Sequence, residues 1–298
     1  MKPDETTDRI VRALEYLCKE INQTNKYLAQ LVSKEKSAEK PVEESTTANA
    51  DSEYDAKIRF YENKIRLNPN DADAYATLGR IYQIDKKDCD NAIKCYNKAI
   101  ELNPNDAVCY NYLGYLYQDG KKDYDRAMEC YKKAIELDPD DKFAYIFLGT
   151  AYQYGKKNYD KAIECFNIAK ESDLCYRDAH LSLGYVYQHG KEDYDKAIEY
   201  YNKVIKLNPN DVECYSYMGD AYQHGKKDYD KAIECYNKAK ELDPYYGYVY
   251  DNLGKCYLER GDRDKAIEYY KKAASLGSEY SQQWLGDNDF LWLDNSGE

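Results

Sequence analysis

Apolar positions along residues 72–280 come in pairs of short amphipathic stretches, each pair divided and followed by polar turns. In residues 107–141, Tyr110, Leu113, Gly114 and Tyr117 recur at spacings of three and four, which puts them on one helical face. The polar run Asp119–Asp123 interrupts that helix and offers an aspartate as N-cap of the next. Ala127, Tyr131 and Ala134 then line a second helix. Asp138-Pro139 ends it, because proline cannot continue a helix and disfavours helical geometry in the residue before it.

The two-helix pattern repeats. Gly79, Gly114, Gly149, Gly184, Gly219 and Gly254 stand 35 residues apart. Pro69, Pro104, Pro139, Pro209 and Pro244 keep the same interval, with Leu174 at the vacant step. Ala92, Ala127, Ala162, Ala197 and Ala232 keep it too, and Ala266 comes one residue early. The small residues mark places where helix backbones approach closely. The fold class is therefore all-α, a solenoid of stacked helix pairs.

The motif Tyr-x2-Leu-Gly-x2-Tyr, then Ala-x3-Tyr-x2-Ala, then Pro resembles the tetratricopeptide repeat (TPR) over about 54–286. Five units carry one extra residue between their helices. Four place a glycine three residues after the tyrosine (Tyr117/Gly120, Tyr152/Gly155, Tyr187/Gly190, Tyr222/Gly225), a spacing similar to sel-one-like repeats. Residues 271–286, with a Leu-Gly turn in place of proline, look sel-one-like as well. The resemblance implies a right-handed α-α superhelical solenoid with a concave groove lined by the first helices. The expected organisation is a half unit at 54–71, full units at 72–106, 107–141, 142–176, 177–211, 212–246 and 247–280, a capping helix at 281–293 and a tail at 294–298. Solenoid ends need a polar cover. Phe290–Leu293 either belongs to that cap or is a sticky contact for a partner.

Residues 1–53 lie outside the repeat. Ile10, Leu14, Leu17, Ile21, Leu28 and Leu31 form a heptad seam with Thr24 as its polar break, which predicts an amphipathic or coiled-coil helix within 1–36. Residues 37–53 read as a flexible tether. The seam either self-associates through residues 8–35, or is a lone helix that docks on its own solenoid or stays largely unfolded, since a helix of this length is marginal in isolation.

Composition narrows function. The formal net charge of −12 argues against nucleic acid, which needs a basic face. No apolar run is long enough for a membrane span, no signal-peptide core opens the chain, and ten cysteines in 298 residues are too few for a disulfide scaffold. A cytoplasmic protein is expected. Of the 36 tyrosines, 22 fall in repeated aromatic slots of the helix pair, so the tyrosine excess is the repeat seen through composition.

Catalytic signatures are missing. His180 occupies a core tyrosine slot, and His189 and His224 stand one unit apart, which does not make a metal site alone. Cys95, Cys130, Cys165 and Cys235 share one slot and Cys109 and Cys214 another, as duplicated packing residues do. No cofactor, no metal and no enzymatic activity are expected. At the junction of the third and fourth units, Leu174, His180 and Ile168 break the pattern, which marks a bend, a contact patch or simple divergence.

The resemblance places the groove on set first-helix positions. These hold a glutamine row (Gln83, Gln118, Gln153, Gln188, Gln223), tyrosines (Tyr112, Tyr115, Tyr154, Tyr185, Tyr217), Asp220, His189 and His224. A row of amides could bond an extended backbone, or it could be a duplicated surface with no ligand. Asp119, Asp220 and Asp251 tilt the groove acidic, so a neutral to basic peptide or helix is expected. The positions of the family's carboxylate clamp hold Ala76, Asn111, Ile146, Leu181, Ser216 and Asp251, so that clamp is not expected. Function reads as a protein-interaction scaffold. The alternatives are a regulatory subunit of an enzyme complex and an enzyme whose site no motif announces.

Overall fold

A computed structural model describes residues 46–84, 87–288 and 290, with side chains from Tyr54 onward. Among these residues there are fourteen α-helices and no strand. Contacts divide the chain near Ala56, and the unit from Lys57 onward holds the repeat. The seam Ile10, Leu14, Leu17, Ile21, Leu28 and Leu31 lies outside the described residues.

Helix α1 is Thr46–Leu67. Six helix pairs follow: α2 (Ala72–Ile84) with α3 (Cys89–Leu102), α4 (Ala107–Tyr115) with α5 (Tyr124–Leu137), and α6 (Lys142–Ala151) with α7 (Tyr159–Ala169). The remaining pairs are α8 (Tyr176–His189) with α9 (Tyr194–Leu207), α10 (Val212–Asp220) with α11 (Tyr229–Leu242), and α12 (Gly247–Glu259) with α13 (Arg263–Ser275). Helix α14 (Glu279–Asp287) is the last helix among the described residues. The stretch 46–53, expected as part of a tether, is helical. Once residues 57–67 are helical, adding a turn at their N-terminus costs far less than nucleating one, and no proline lies between Pro41 and Thr46.

The expected aspartate caps form. Asp88, Asp123, Asp193, Asp228 and Asp262 each accept from the backbone N–H three residues on, as does Asn158. The junction without proline behaves differently. Helix α7 has 11 residues where α5 and α9 have 14, and Cys175 starts α8 without a side-chain cap. Leu174 is left exposed there. His180 stacks on Tyr176 at 3.9 Å, and its Nδ1 lies 2.8 Å from the Tyr176 carbonyl oxygen, so it fills its core slot as a packing residue.

The core is a column of second-helix aromatics. Tyr96, Tyr131, Phe166, Tyr201, Tyr236 and Tyr270 have no solvent exposure. Each lies against the glycine of its partner first helix. A Cβ on Gly114 would stand 2.6 Å from the Tyr131 ring, which no real contact allows.

The extra residue of the 35-residue units shows as a wider turn. Residues Leu116–Gly120, Tyr152–Lys156 and Ala221–Lys226 wind as π-helix before the chain reverses. The residue before each second-helix cap then takes a left-handed conformation, at Lys87, Lys122, Lys157, Glu192 and Lys227. The last unit lacks the extra residue and uses Gly261, at φ 80°. The sel-one-like glycine has a separate cause. A Cβ on Gly190 would stand 2.5 Å from the ring of Tyr159, which opens the second helix of the unit before. Neighbouring units are also tied by charge along this edge. Lys121 meets Asp90 at 2.6 Å, Lys156 meets Asp125 at 2.5 Å, Lys191 meets Asp160 at 2.6 Å and Lys226 meets Asp195 at 2.5 Å.

Candidate functional site, the groove lined by the first helices

Helices α2, α4, α6, α8, α10 and α12 carry the positions that the repeat assigns to the groove, and three cavities lie along them. The first, about 400 Å³, is lined by Gln83, Val108, Asn111, Tyr112, Tyr115, Asp141, Phe143 and Phe147. The second, about 270 Å³, lies among Gln188, His189, Glu192, Tyr194 and His224. The third, about 280 Å³, adjoins the last unit.

The first cavity has aromatic walls. Tyr112, Tyr115 and Phe143 are 36, 39 and 43 % exposed, well above the core. Two of the lining rings are held by the core. Tyr112 stacks on buried Tyr96 at 5.6 Å and Phe147 on buried Tyr131 at 5.5 Å, so the groove wall rests directly on the core column. At its floor, Asn111 donates to the carboxylate of Asp141 at 2.6 Å. Val108, Phe143 and Phe147 were not among the expected site residues. Phe147 shares the repeat position of Tyr112 and Tyr217, and Phe143 and Val108 lie one helical turn before Phe147 and Tyr112. An i, i+4 reading of the slot would have found them.

Farther along, a second aromatic run crosses from the π-helical turn after α6 to α8 and α10. Tyr154 stands 6.1 Å from Tyr185, which stands 5.9 Å from Tyr217, and His189 stacks on Tyr185 at 4.1 Å. Tyr217 rests on buried Tyr201 at 6.0 Å. The structure thus brings together Tyr154, Tyr185, His189 and Tyr217 as one strip, with Tyr112 and Tyr115 in the other cavity.

The glutamine row differs from expectation. Gln153, Gln188 and Gln223 are 5, 4 and 4 % exposed. The carbonyl oxygens of Gln83, Gln188 and Gln223 accept from the hydroxyls of Tyr96, Tyr201 and Tyr236 at 3.1, 2.9 and 2.8 Å. A tyrosine buried at the core slot needs an acceptor, and the glutamine thirteen residues earlier supplies it. Gln118 Oε1 and the Tyr131 hydroxyl, the same pair in the second unit, are both buried without a partner.

The acidic groove residues are also spoken for. Asp220 is 5 % exposed and accepts from the hydroxyls of Tyr236 and Tyr248 at 2.7 and 2.9 Å; burial raises its pKa. Asp251 accepts from the hydroxyls of Ser278 and Ser281 at the start of α14, and Asp119 pairs with Lys122. Burial lowers the pKa of His224, with Asp220 opposing and Lys227 and Lys255 adding to the shift. A neutral imidazole beside two lysines is the consequence.

Other candidate chemistry recedes. Burial pushes the thiols of Cys165 and Cys235 up to about 11 and about 12, away from thiolate reactivity. Among the described residues, no three His, Cys, Asp or Glu side chains gather as metal ligands, and no helix is long and apolar enough to cross a membrane.

The repeat positions agree with known families. Tetratricopeptide repeat models match residues 211–277 and 107–141, and a TPR repeat model matches 84–120 and 189–225. A Sel1 repeat model matches 142–174, the unit of α6 and α7 that carries Gly155. No curated protein matches the chain. Among solved structures, the MamA protein is 32 % identical, over 58 % of this chain and 92 % of its own, with a TM-score of 0.51. YrrB, described as a TPR protein with an unusual peptide-binding site, is 27 % identical over 66 % and 99 %, with a TM-score of 0.50. A tetratricopeptide repeat protein from Parabacteroides merdae is 19 % identical over 79 % and 92 %, with a TM-score of 0.63, a likeness of fold.

Proposed function

We propose, from the premise that the chain belongs to the tetratricopeptide repeat family and carries Sel1-like repeats, that it holds a peptide segment of another protein in the groove of its first helices. Interaction scaffolding is the general role of this fold. The finer reading rests on one observation: Val108, Tyr112, Tyr115, Phe143 and Phe147 surround a cavity of about 400 Å³, the rings of Tyr112, Tyr115 and Phe143 are exposed, and Tyr112 and Phe147 stack on the buried Tyr96 and Tyr131. Rings fixed in this way bury large apolar area on binding and lose little side-chain entropy.

The anchor of the bound segment is a large apolar side chain. The strip Tyr154, Tyr185, His189 and Tyr217 carries the rest of the segment past α6, α8 and α10. The expected neutral to basic character narrows to neutral, because Asp119, Asp220 and Asp251 already have internal partners. Gln83, Gln188 and Gln223 act as core acceptors rather than as ligands for the peptide.

Peptides selected from a random phage-displayed library on the full chain provide the test. Phe143→Ala and Tyr115→Ala alter exposed rings, so the fold survives while binding of the selected peptides falls. Equal binding by wild type and both variants would place the ligand elsewhere.

Self-association through residues 8–35 belongs to the same proposal, since it would make the groove multivalent. Light scattering of the full chain against residues 46–298 measures it, and equal monomer masses would sink it.

A further inference from the structure

The pairing of core tyrosine with glutamine stops at the last full unit, and a second site opens there. The position four residues after Gly254, filled by glutamine in the earlier units, holds Leu258, which is 37 % exposed. Tyr270 remains fully buried and its hydroxyl has no hydrogen-bond partner. Tyr280 stands edge-on to it, ring centroids 6.0 Å apart. Tyr270 lines the cavity of about 280 Å³ together with His224, Lys227, Lys255, Leu258 and Tyr280. A buried donor without an acceptor is destabilising, and a ligand that supplies the acceptor would recover that loss.

Charge fixes the kind of acceptor. Lys226 is committed to Asp195 at 2.5 Å, while Lys227, set by its left-handed backbone at φ 54°, has no ion pair among the described residues. Lys255 lies over the Tyr280 ring at 4.4 Å and 3.4 Å from Asn252 Oδ1, again without a carboxylate. Two lysines without a carboxylate partner therefore line the same cavity as Tyr270. The opposing charge is Glu259 on the same wall, which accepts from the Tyr229 hydroxyl at 3.4 Å. Asp220, which faces His224, is already held by Tyr236 and Tyr248.

We propose that this cavity binds a carboxylate, with the Tyr270 hydroxyl donating to it and Lys227 and Lys255 balancing its charge. None of the six clamp positions named above takes part. As the acidic subsite of a groove-bound peptide it rests on the peptide reading; as a carboxylate site it stands alone. The carboxylate comes either from an Asp or Glu side chain or from a peptide C-terminus.

Nuclear magnetic resonance of the full chain separates these cases, with three probes. Acetyl-Ala-Glu-Ala-amide offers a side-chain carboxylate, acetyl-Ala-Ala-Ala with a free C-terminus offers a terminal one, and acetyl-Ala-Gln-Ala-amide offers neither. At least one carboxylate probe shifts the His224 ring signals saturably and raises the His224 pKa, since an anion beside an imidazole favours its protonated form. The glutamine probe does not. Lys255→Gln and Tyr270→Phe each weaken the response about ten-fold, the scale of a lost bond to a charged group, and Tyr270→Phe copies the repeat's own Phe166. No saturable shift, an equal shift with the glutamine probe, or full response in both variants would overturn the site. Phe143→Ala leaves this response intact, so loss of peptide capture in that variant reports on the aromatic cavity alone.

Discussion

If the glutamines serve the core rather than a ligand, Gln188→Leu is the informative substitution. Gln188 Oε1 accepts from Tyr201 at 2.9 Å, and the residues are 4 and 0 % exposed. Leucine keeps the volume and removes the acceptor, which leaves the Tyr201 hydroxyl buried and unpaired at a cost of about 1–3 kcal/mol. Tyr201→Phe removes the other end and leaves an amide at the groove floor, at a smaller cost. The double variant removes both ends. It resembles the apolar pairing found when a buried bond is deleted whole, so it should lie close to wild type, within about 1 kcal/mol. The cycle then gives a coupling of about 1–2 kcal/mol. Urea unfolding with hydrogen exchange at α8 and α9 is the assay, because stacked repeats can open unit by unit. Additive single effects would refute the reasoning. So would a Gln188→Leu chain of wild-type stability that loses its selected peptides, for then the amide would be a ligand group.

Other perturbations probe the turns, the core contact and the buried carboxylate. Lys157→Gly relieves a left-handed lysine at φ 50°; the ~1 kcal/mol of relief is partly offset by glycine's entropy, so urea unfolding should show a gain of up to about 1 kcal/mol, and a loss would contradict the turn account. Gly114→Ala forces its methyl group into the Tyr131 ring and should destabilise by about 1–3 kcal/mol, more than Gly79→Ala, where the ring stands at 3.2 Å; equal effects would contradict it. Asp220 has a pKa raised by burial above its ordinary 3.8. The folded protein therefore holds that proton more tightly than the unfolded chain, so the group's stabilising contribution is complete below about 3.8 and is lost as pH rises through the folded value. Asp220→Asn should then gain stability relative to wild type at neutral pH, a gain that shrinks on acidification toward pH 4. A difference independent of pH would contradict the buried-carboxylate assignment. Asp220 opposes the lowering of the His224 pKa, so its removal lowers that pKa further, and the comparison is made in a His224→Gln background.

The helix pairs were legible because glycine, proline and alanine keep one interval, and each has a steric cause that survives duplication. Side-chain direction at the groove was less legible. Gln188 sits at a position that faces the groove in the family's scheme, and nothing local in its sequence says that a tyrosine hydroxyl thirteen residues later will claim it. That requires treating Tyr201 as a buried donor in search of an acceptor. Phe166 and Leu258, the two places where the pair is broken, carried the same information from opposite ends. Asp220 was counted as groove charge for a similar reason: its partners Tyr236 and Tyr248 come from the next two helices, and no spacing within α10 announces them. Phe143 lies one helical turn before the groove positions nearest the glycine, where the same face continues. The start of α1 at Thr46 was set by helix propagation from packed residues, which composition alone does not reveal.

The central claim is that a peptide is held at the aromatic cavity between α4 and α6. Isothermal titration of a library-selected peptide against the full chain and its Phe143→Ala variant tests it most directly. The account predicts that the variant unfolds at the same urea concentration as wild type and binds at least about ten-fold more weakly, the loss of about 1.4 kcal/mol or more that removal of a buried aromatic contact should bring. Unchanged affinity in a folded Phe143→Ala chain would contradict it.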